Sequence, residues 1–145
     1  MSKGTHIHFV SKIKGSAPFH AHEGDAGVDL CSTESVYLEP HRRTLIKTGL
    51  YVELPKGTEL QIRPRSGLAI EHGITVLNAP GTIDSNYRGE IKVPIINLGY
   101  QGFQIEIGMK ICQAVLADYI KQHWVAIEHL TQTERGVDGF GSTGL

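Results

Sequence analysis

The chain has 145 residues, a formal net charge of −1 and a pI near 6.7. That length suits one domain with a real core, and the charge lacks the basic field that a nucleic-acid polymer would require. No long apolar run offers a membrane span and the start MSKGTH reads as no signal peptide, so a cytoplasmic location with no membrane contact is expected.

A phosphate-bearing small ligand stays open, because it needs only a local positive site. The 17 glycines and the shortage of long 3.6-residue periods predict an all-β chain of short strands and turns. Cys31 and Cys112 lie in apolar stretches without Cys-x-x-Cys spacing and read as reduced, buried thiols rather than a disulfide.

His6 to Val10 alternates polar and apolar and predicts a first strand. The pairs His6/His8 and His20/His22 could share a strand face for a metal, but no acid or cysteine completes a ligand set, and solvated histidines are the commoner reading. Lys14 to Gly24 reads as a loop. In Asp25 to Leu30, Gly27 allows a close approach and Asp29 can cap a turn; a carboxylate there can equally hold the water shell of a phosphate-bound magnesium ion.

Val36 to Leu38, Thr44 to Leu54 and Thr58 to Arg63 read as strands, the last with Leu60 and Ile62 facing one way and Glu59, Gln61 and Arg63 the other. A short helix follows over 65–73, with Ser66 as its expected N-cap and Gly73 as its stop. Its N-terminus, beside Arg65, could receive an anion.

Ile74 to Leu77, a turn at Asn78 to Gly81, a short extended piece at Thr82 to Asp84 and a second strand over Glu90 to Val93 predict a β-hairpin, with Asp84, a Ser85-Asn86 corner and Tyr87 at its mouth. Uracil presents acceptor, donor and acceptor along one edge, an order that open hairpin backbone can match. Pro94 suggests an edge or bulge before Ile95 to Leu98. Gln104 to Ile107 and Gly108 to Leu116 are the next strands. Gln113 interrupts the latter as a core hydrogen bonder or a ligand contact.

Trp124 to Leu130 is the last apolar stretch. Thr131 to Leu145 has four glycines, at 136, 139, 141 and 144, and almost no apolar mass. It cannot pack alone, so it reads as a tail or as a lid closing over substrate. Arg135 could meet phosphate, Phe140 could stack on a base, and the Gly-Ser-Thr-Gly run could wrap oxygens.

Five segments stand in one order: DAGVDL at 25–30, PRSGLA at 64–69, VLNAPGTIDSNYRGEIKV at 76–93, GMKICQAVL at 108–116 and RGVDGFGSTG at 135–144. Together they closely resemble the trimeric dUTPase family. The resemblance implies a distorted jelly-roll β-barrel with one short helix over 1–130, followed by a flexible lid over 131–145. It also implies magnesium-assisted hydrolysis of dUTP to dUMP and pyrophosphate by water attack on the α-phosphate. That activity limits uracil incorporation into DNA and supplies dUMP for thymidylate synthesis.

Carried over by residue, Asp84 would orient and deprotonate the water. Asn78, Gly81, Ile91, Lys92 and the hairpin backbone would hold uracil, with no room for thymine's methyl. Tyr87 would pack under the deoxyribose, and Arg65, Ser66, Gly67 and Gln113 would contact phosphates. Asp29 would meet Mg2+ through water, while Arg135, Phe140, Gly141, Ser142 and Thr143 would form a lid from a neighbouring subunit of a homotrimer. Asp138, Asn86, Met109 and Cys112 depart from the usual pattern, and Asp138 bears on lid closure. The alternatives are a dCTP deaminase-like enzyme and a nucleotide-sensing interaction module.

Overall fold

The computed structural model describes residues 4–14 and 17–144. The first three residues of MSKGTH, Gly15 and Ser16 of the expected loop, and Leu145 of the expected lid lie outside them. Within the described residues the chain is all-β with one short helix. The strands are β1 (His8–Ser11), β2 (Gly27–Cys31), β3 (Val36–Leu38), β4 (Arg43–Lys47), β5 (Leu50–Glu53) and β6 (Thr58–Arg63). The helix α1 (Ser66–His72) is followed by β7 (Ile74–Val76), β8 (Gly81–Asp84), β9 (Lys92–Asn97), β10 (Phe103–Ile105) and β11 (Lys110–Asp118). None of the described helical residues forms a span long and apolar enough to cross a membrane.

The strands form four hydrogen-bonded sheets, in the orders β2-β11-β6-β8, β4-β9-β7, β1-β5 and β10-β3, and hydrogen bonding does not close them into one barrel. The central pairing is β6 with β11, antiparallel over six rungs from Arg63↔Gln113 to Thr58↔Asp118. Alternation along β6 buries Leu60 and Ile62 and turns Glu59, Gln61 and Arg63 outward, as its sequence predicts. Those two leucine and isoleucine side chains join Ile46, Leu50, Ile74, Ile91, Val93, Ile95, Ile105 and Ile111 in one apolar core.

Three local expectations change. Thr44 to Leu54 is two strands in different sheets, broken at Thr48-Gly49, where Gly49 adopts φ +66°. Ser66 does not cap α1: Arg65 holds the cap position without a side-chain cap bond, whereas Gly73, at φ +70°, closes the helix by donating to the Ala69 and Leu68 carbonyls. Ile74 to Val93 is also no simple hairpin. β7 pairs with β9, while the intervening β8 leaves that sheet to pair with β6. Pro94 lies in β9 beyond the last β7 rung, and its carbonyl accepts from Leu77 N–H at 2.8 Å. A strand residue points N and O the same way, so the missing N–H faces Leu77 past the last β7 rung and removes no bond from the pairing with β4.

Asn97 ties the far end together. It is fully buried, with Nδ2 donating to the Leu38 and Gln101 carbonyls at 3.0 and 2.8 Å and Oδ1 accepting from Gly99 N–H at 2.9 Å. Replacing it by leucine of similar size strands three backbone groups out of water. Asn97→Leu should lower stability by about 2–4 kcal/mol, read from urea unfolding at a fixed subunit concentration.

Candidate functional site

The outer face of the β2-β11-β6 strip carries the first cluster. Register places Asp29 and Arg63 on either side of Gln113, so all three side chains leave the same face of the sheet. Gln113 Nε2 donates to the Pro64 carbonyl at 3.1 Å. Gly27 is needed beside it: a Cβ there would stand 3.0 Å from Gln113 Oε1 and 3.3 Å from the Ala114 carbonyl oxygen. A cavity of about 240 Å³ lies between Gly27, Asp29, Arg63 and Gln113.

Asp29 is held from both sides. Arg65 Nε stands 3.2 Å from Oδ1, and Lys110 Nζ stands 3.1 Å from Oδ2. Arg65 Nη1 also donates to the Lys110 carbonyl at 3.2 Å, which closes a ring of three residues. The side chain of Asp29 is 17 % exposed and those of Arg65 and Lys110 are each 35 % exposed, so the ring borders solvent with a surplus positive charge. Such a ring attracts an anion. Ser66 and Gly67 open α1 next to it and are exposed, with nothing within 4 Å of a Cβ built on Gly67.

The second cluster sits at the end of β8. Asp84 is exposed, and its carbonyl accepts from Tyr87 N–H at 3.0 Å. The Tyr87 hydroxyl donates to the Glu90 carbonyl at 2.9 Å, which fixes the ring beside Asp84. Glu90 Oε1 accepts from Gly49 N–H at 2.9 Å, Thr48 Oγ donates to the Ile91 carbonyl at 2.6 Å, and Ile91 N–H donates to Leu50 at 2.8 Å. Ile91 is therefore a buried fastening point, with both backbone groups already used. Lys92 is exposed beyond it, and a cavity of about 270 Å³ lies between Thr82, Asp84, Tyr87 and Lys92.

Asn78 and Gly81 stand at the opposite end of β8 from Asp84. Gly81 is buried against Ile62 and Asn78 is exposed in the turn. The adjoining Ala79 and Pro80 border a second cavity with Pro64 and Gln113. Asp84, by contrast, pairs with Glu59. Glu59 and Arg63 are four residues apart on β6, so the Asp84 and Gln113 rungs are separated by about 13 Å along the strand. Arg65 lies further still. One chain therefore brings Asp29, Arg65 and Gln113 together, and Asp84, Tyr87 and Lys92 together, but not the two sets.

The third set is on an arm. After Tyr119 N–H donates to the Gly57 carbonyl at 3.1 Å, residues 120–144 form no described strand or helix and almost all are exposed. Ile120, Trp124, Leu130 and Phe140 each expose 85 % or more of their surface. Arg135 Nε donates to the Asp138 carbonyl at 3.0 Å and Ser142 N–H to the Gly139 carbonyl at 3.2 Å. Gly141 takes φ +96° and Thr143 is exposed. Asp138 meets Arg135 through its backbone oxygen, which a glycine would offer equally.

Two features escape a reading of the sequence. Lys110 stands in a segment whose amide draws the attention, and its role depends on a register irregularity between Lys110 and Cys112 that aims it at Asp29. The Thr48-Gly49 bend gains its role only through contacts with Glu90 and Ile91, more than forty residues away in sequence. Among the described residues no three His, Cys, Asp or Glu side chains gather as a metal cage.

The dUTPase family model matches residues 14–144. The deoxyuridine 5'-triphosphate nucleotidohydrolase of Clostridium novyi is 57 % identical over 132 residues, covering 91 % of this chain and 93 % of that protein. Among solved structures, the dUTPase of Staphylococcus bacteriophage 80alpha with dUPNHPP is 26 % identical at a TM-score of 0.89, covering 98 % of this chain and 100 % of that one. A mutant dUTPase of phage phi11 of S. aureus, described as coordinating a structural Mg(II) ion, is 23 % identical at a TM-score of 0.80, covering 88 % of this chain and 100 % of that one; at that identity it shares the jelly-roll-like fold.

Both thiols are free, Cys31 half-buried beside the Asp29 ring and Cys112 fully buried in the core. Burial, with Asp29 adding to it, pushes Cys112 from the ordinary 9.0 up to about 12. Native protein at pH 8 should therefore resist alkylation at Cys112 until denaturant is added, as peptide mass mapping would report. Between pH 9.0 and about 12 the unfolded chain ionises this thiol while the folded chain keeps its proton, so its contribution to stability falls as pH rises through that window.

Proposed function

This chain belongs to the dUTPase family and hydrolyses dUTP, and from that premise we propose how its residues divide the work. The observation that carries the proposal is the cationic ring around Asp29, set beside the amide of Gln113 and the start of α1. It offers charge and donors to a triphosphate. Arg65, Ser66, Gly67 and Gln113 grip the phosphates there. Asn78, Gly81 and the connection leading to Lys92 accept the uracil edge, with buried Ile91 anchoring that connection to the core, and Tyr87 stacks under the deoxyribose. Asp84, free of ion pairs among the described contacts and open to solvent, orients the attacking water and takes its proton.

Magnesium fits this donor set in one way. Both oxygens of Asp29 already face cations, and no protein cage gathers around it within the described residues. An ion that keeps its waters and arrives on the triphosphate suits a lone carboxylate met through water. When bound, Mg2+ neutralises charge on the phosphates; the chain's part is the hold exerted through Asp29.

The working form is a homotrimer with composite sites. Water held by Asp84 must attack a phosphate gripped by Arg65 and Gln113, and reacting atoms must approach to about 3–3.5 Å. Within one chain those sets sit at opposite ends of β6, a separation that supports supply of each from a different copy. The arm over 119–144, with its bare apolar side chains, supports the same reading. Its final part, residues 131–145, acts as the lid: Arg135 on phosphate, Phe140 over the base, and Gly141, Ser142 and Thr143 around oxygens. The relatives compared are nucleotidohydrolases, which leaves the deaminase and the sensing module without support.

Two experiments test this. Asp84→Asn should retain binding of a non-hydrolysable dUTP analogue while turnover falls by about 10²–10⁴-fold, and near-normal turnover would remove Asp84 from the role of base. Asp84→Ala and Arg65→Ala chains, each inactive alone, should regain activity when co-refolded in equal amounts. Random assembly completes about a quarter of sites if the two residues come from different chains, and none if they come from the same chain.

A further inference from the structure

The geometry points to Lys110 as a positioning residue for the phosphate grip: it neutralises Asp29 so that the Arg65 guanidinium is left to the ligand. This inference rests on the proposed phosphate site and adds to it a residue with no direct part in the chemistry. Without Lys110, the carboxylate and the guanidinium form a closed neutral pair. An incoming phosphate would then have to compete with Asp29 for Arg65. With Lys110 Nζ 3.1 Å from the second carboxylate oxygen, the negative charge is already answered, and the ring as a whole stays positive.

The placement of Lys110 supports the assignment. Its carbonyl takes one N–H of Arg65 at 3.2 Å, so one residue fixes the guanidinium with its backbone and relieves it with its side chain. The guanidinium's Nε and one hydrogen of Nη1 are thereby engaged, while its other N–H groups remain for the ligand. Lys110 follows the turn at Gly108, φ +84°, where Met109 N–H donates to the Glu106 carbonyl at 3.0 Å. The register shift between Lys110 and Cys112 then sets it opposite Cys31, on the Asp29 face. The ammonium also stands 5.0 Å from the centre of the Phe19 ring, which shields one side of the ion pair.

The test is equilibrium binding of dUpNHpp by calorimetry in the presence of a chelator, so that no metal takes part, with dUMP as the short ligand. Wild type must bind dUpNHpp more tightly than dUMP; equal affinities would overturn the phosphate site itself. Given that, Lys110→Met should weaken dUpNHpp roughly tenfold, the scale of one charge-assisted contact, and leave dUMP within twofold. Lys110→Arg should restore the loss. The decisive arm is the double variant: in an Asp29→Asn background, which has no carboxylate to answer, Lys110→Met should cost threefold or less. An undiminished loss in that background would mean that Lys110 acts directly on the ligand or only on the fold, and the positioning role would be wrong. So would dUpNHpp binding by Lys110→Met within twofold of wild type, or an equal loss for dUMP.

Discussion

The pairing of β6 with β11 is the constraint on which the rest of this structure depends. Six rungs fix which residues of two strands face the core and which face outward, and a slip of one residue would exchange the two sets. In the observed register Leu60 and Ile62 help to fill the core, and the outward side receives Arg63, Gln61 and Gln113. β2 then adds Asp29 to the same row, and β8 adds Asp84 four residues away. The spacing between the proposed phosphate grip and the proposed base is thus a property of strand length, set by backbone hydrogen bonds before any side chain meets a ligand.

A second fastening operates between sheets. Thr48, Gly49 and Leu50 break what would otherwise be one long strand, and the break gives the connection before β9 something to hold. A hydroxyl, an N–H and a carbonyl there meet Ile91 and Glu90. The Glu90 carbonyl in turn holds the Tyr87 hydroxyl. A site built on a loop is only as well defined as the loop's attachments, and this one is tied to the core within four residues of its aromatic.

Much of this was legible in sequence because the governing pattern is local. The alternation of Thr58 to Arg63 gives a strand with the observed ends, and Gly73 marks the stop of the helix because a left-handed residue is needed there. The five motifs gave the family. What was illegible is long-range. Turn residues at Asn78 to Gly81 predict that the chain reverses but not which sheet receives the short extended piece Thr82 to Asp84, so nothing in the sequence shows that this piece leaves the expected hairpin to pair with β6. Ser66 carries the chemistry of a cap yet makes no cap bond, since Arg65 already occupies that position in extended conformation. Lys110 was hidden for a related reason: a lysine at the head of an apolar strand normally reads as a solvated end, and only the register irregularity reveals what it faces.

In the proposed trimer with composite sites, the arm has a genetic consequence. A chain whose catalytic surface is finished by its neighbours does not keep its own defects to itself. A lesion confined to residues 119–144 would leave that chain's strands intact and impair the site of another copy, while a lesion at Asp84 would waste a healthy arm donated to it. In a cell carrying two alleles, faulty chains of the first kind would dilute the output of good ones instead of merely adding nothing. Two alleles broken in different segments could partly complement each other. Dominance and complementation at this locus would then follow from which strand end or tail a substitution touches, more than from how severely it damages the chain that bears it.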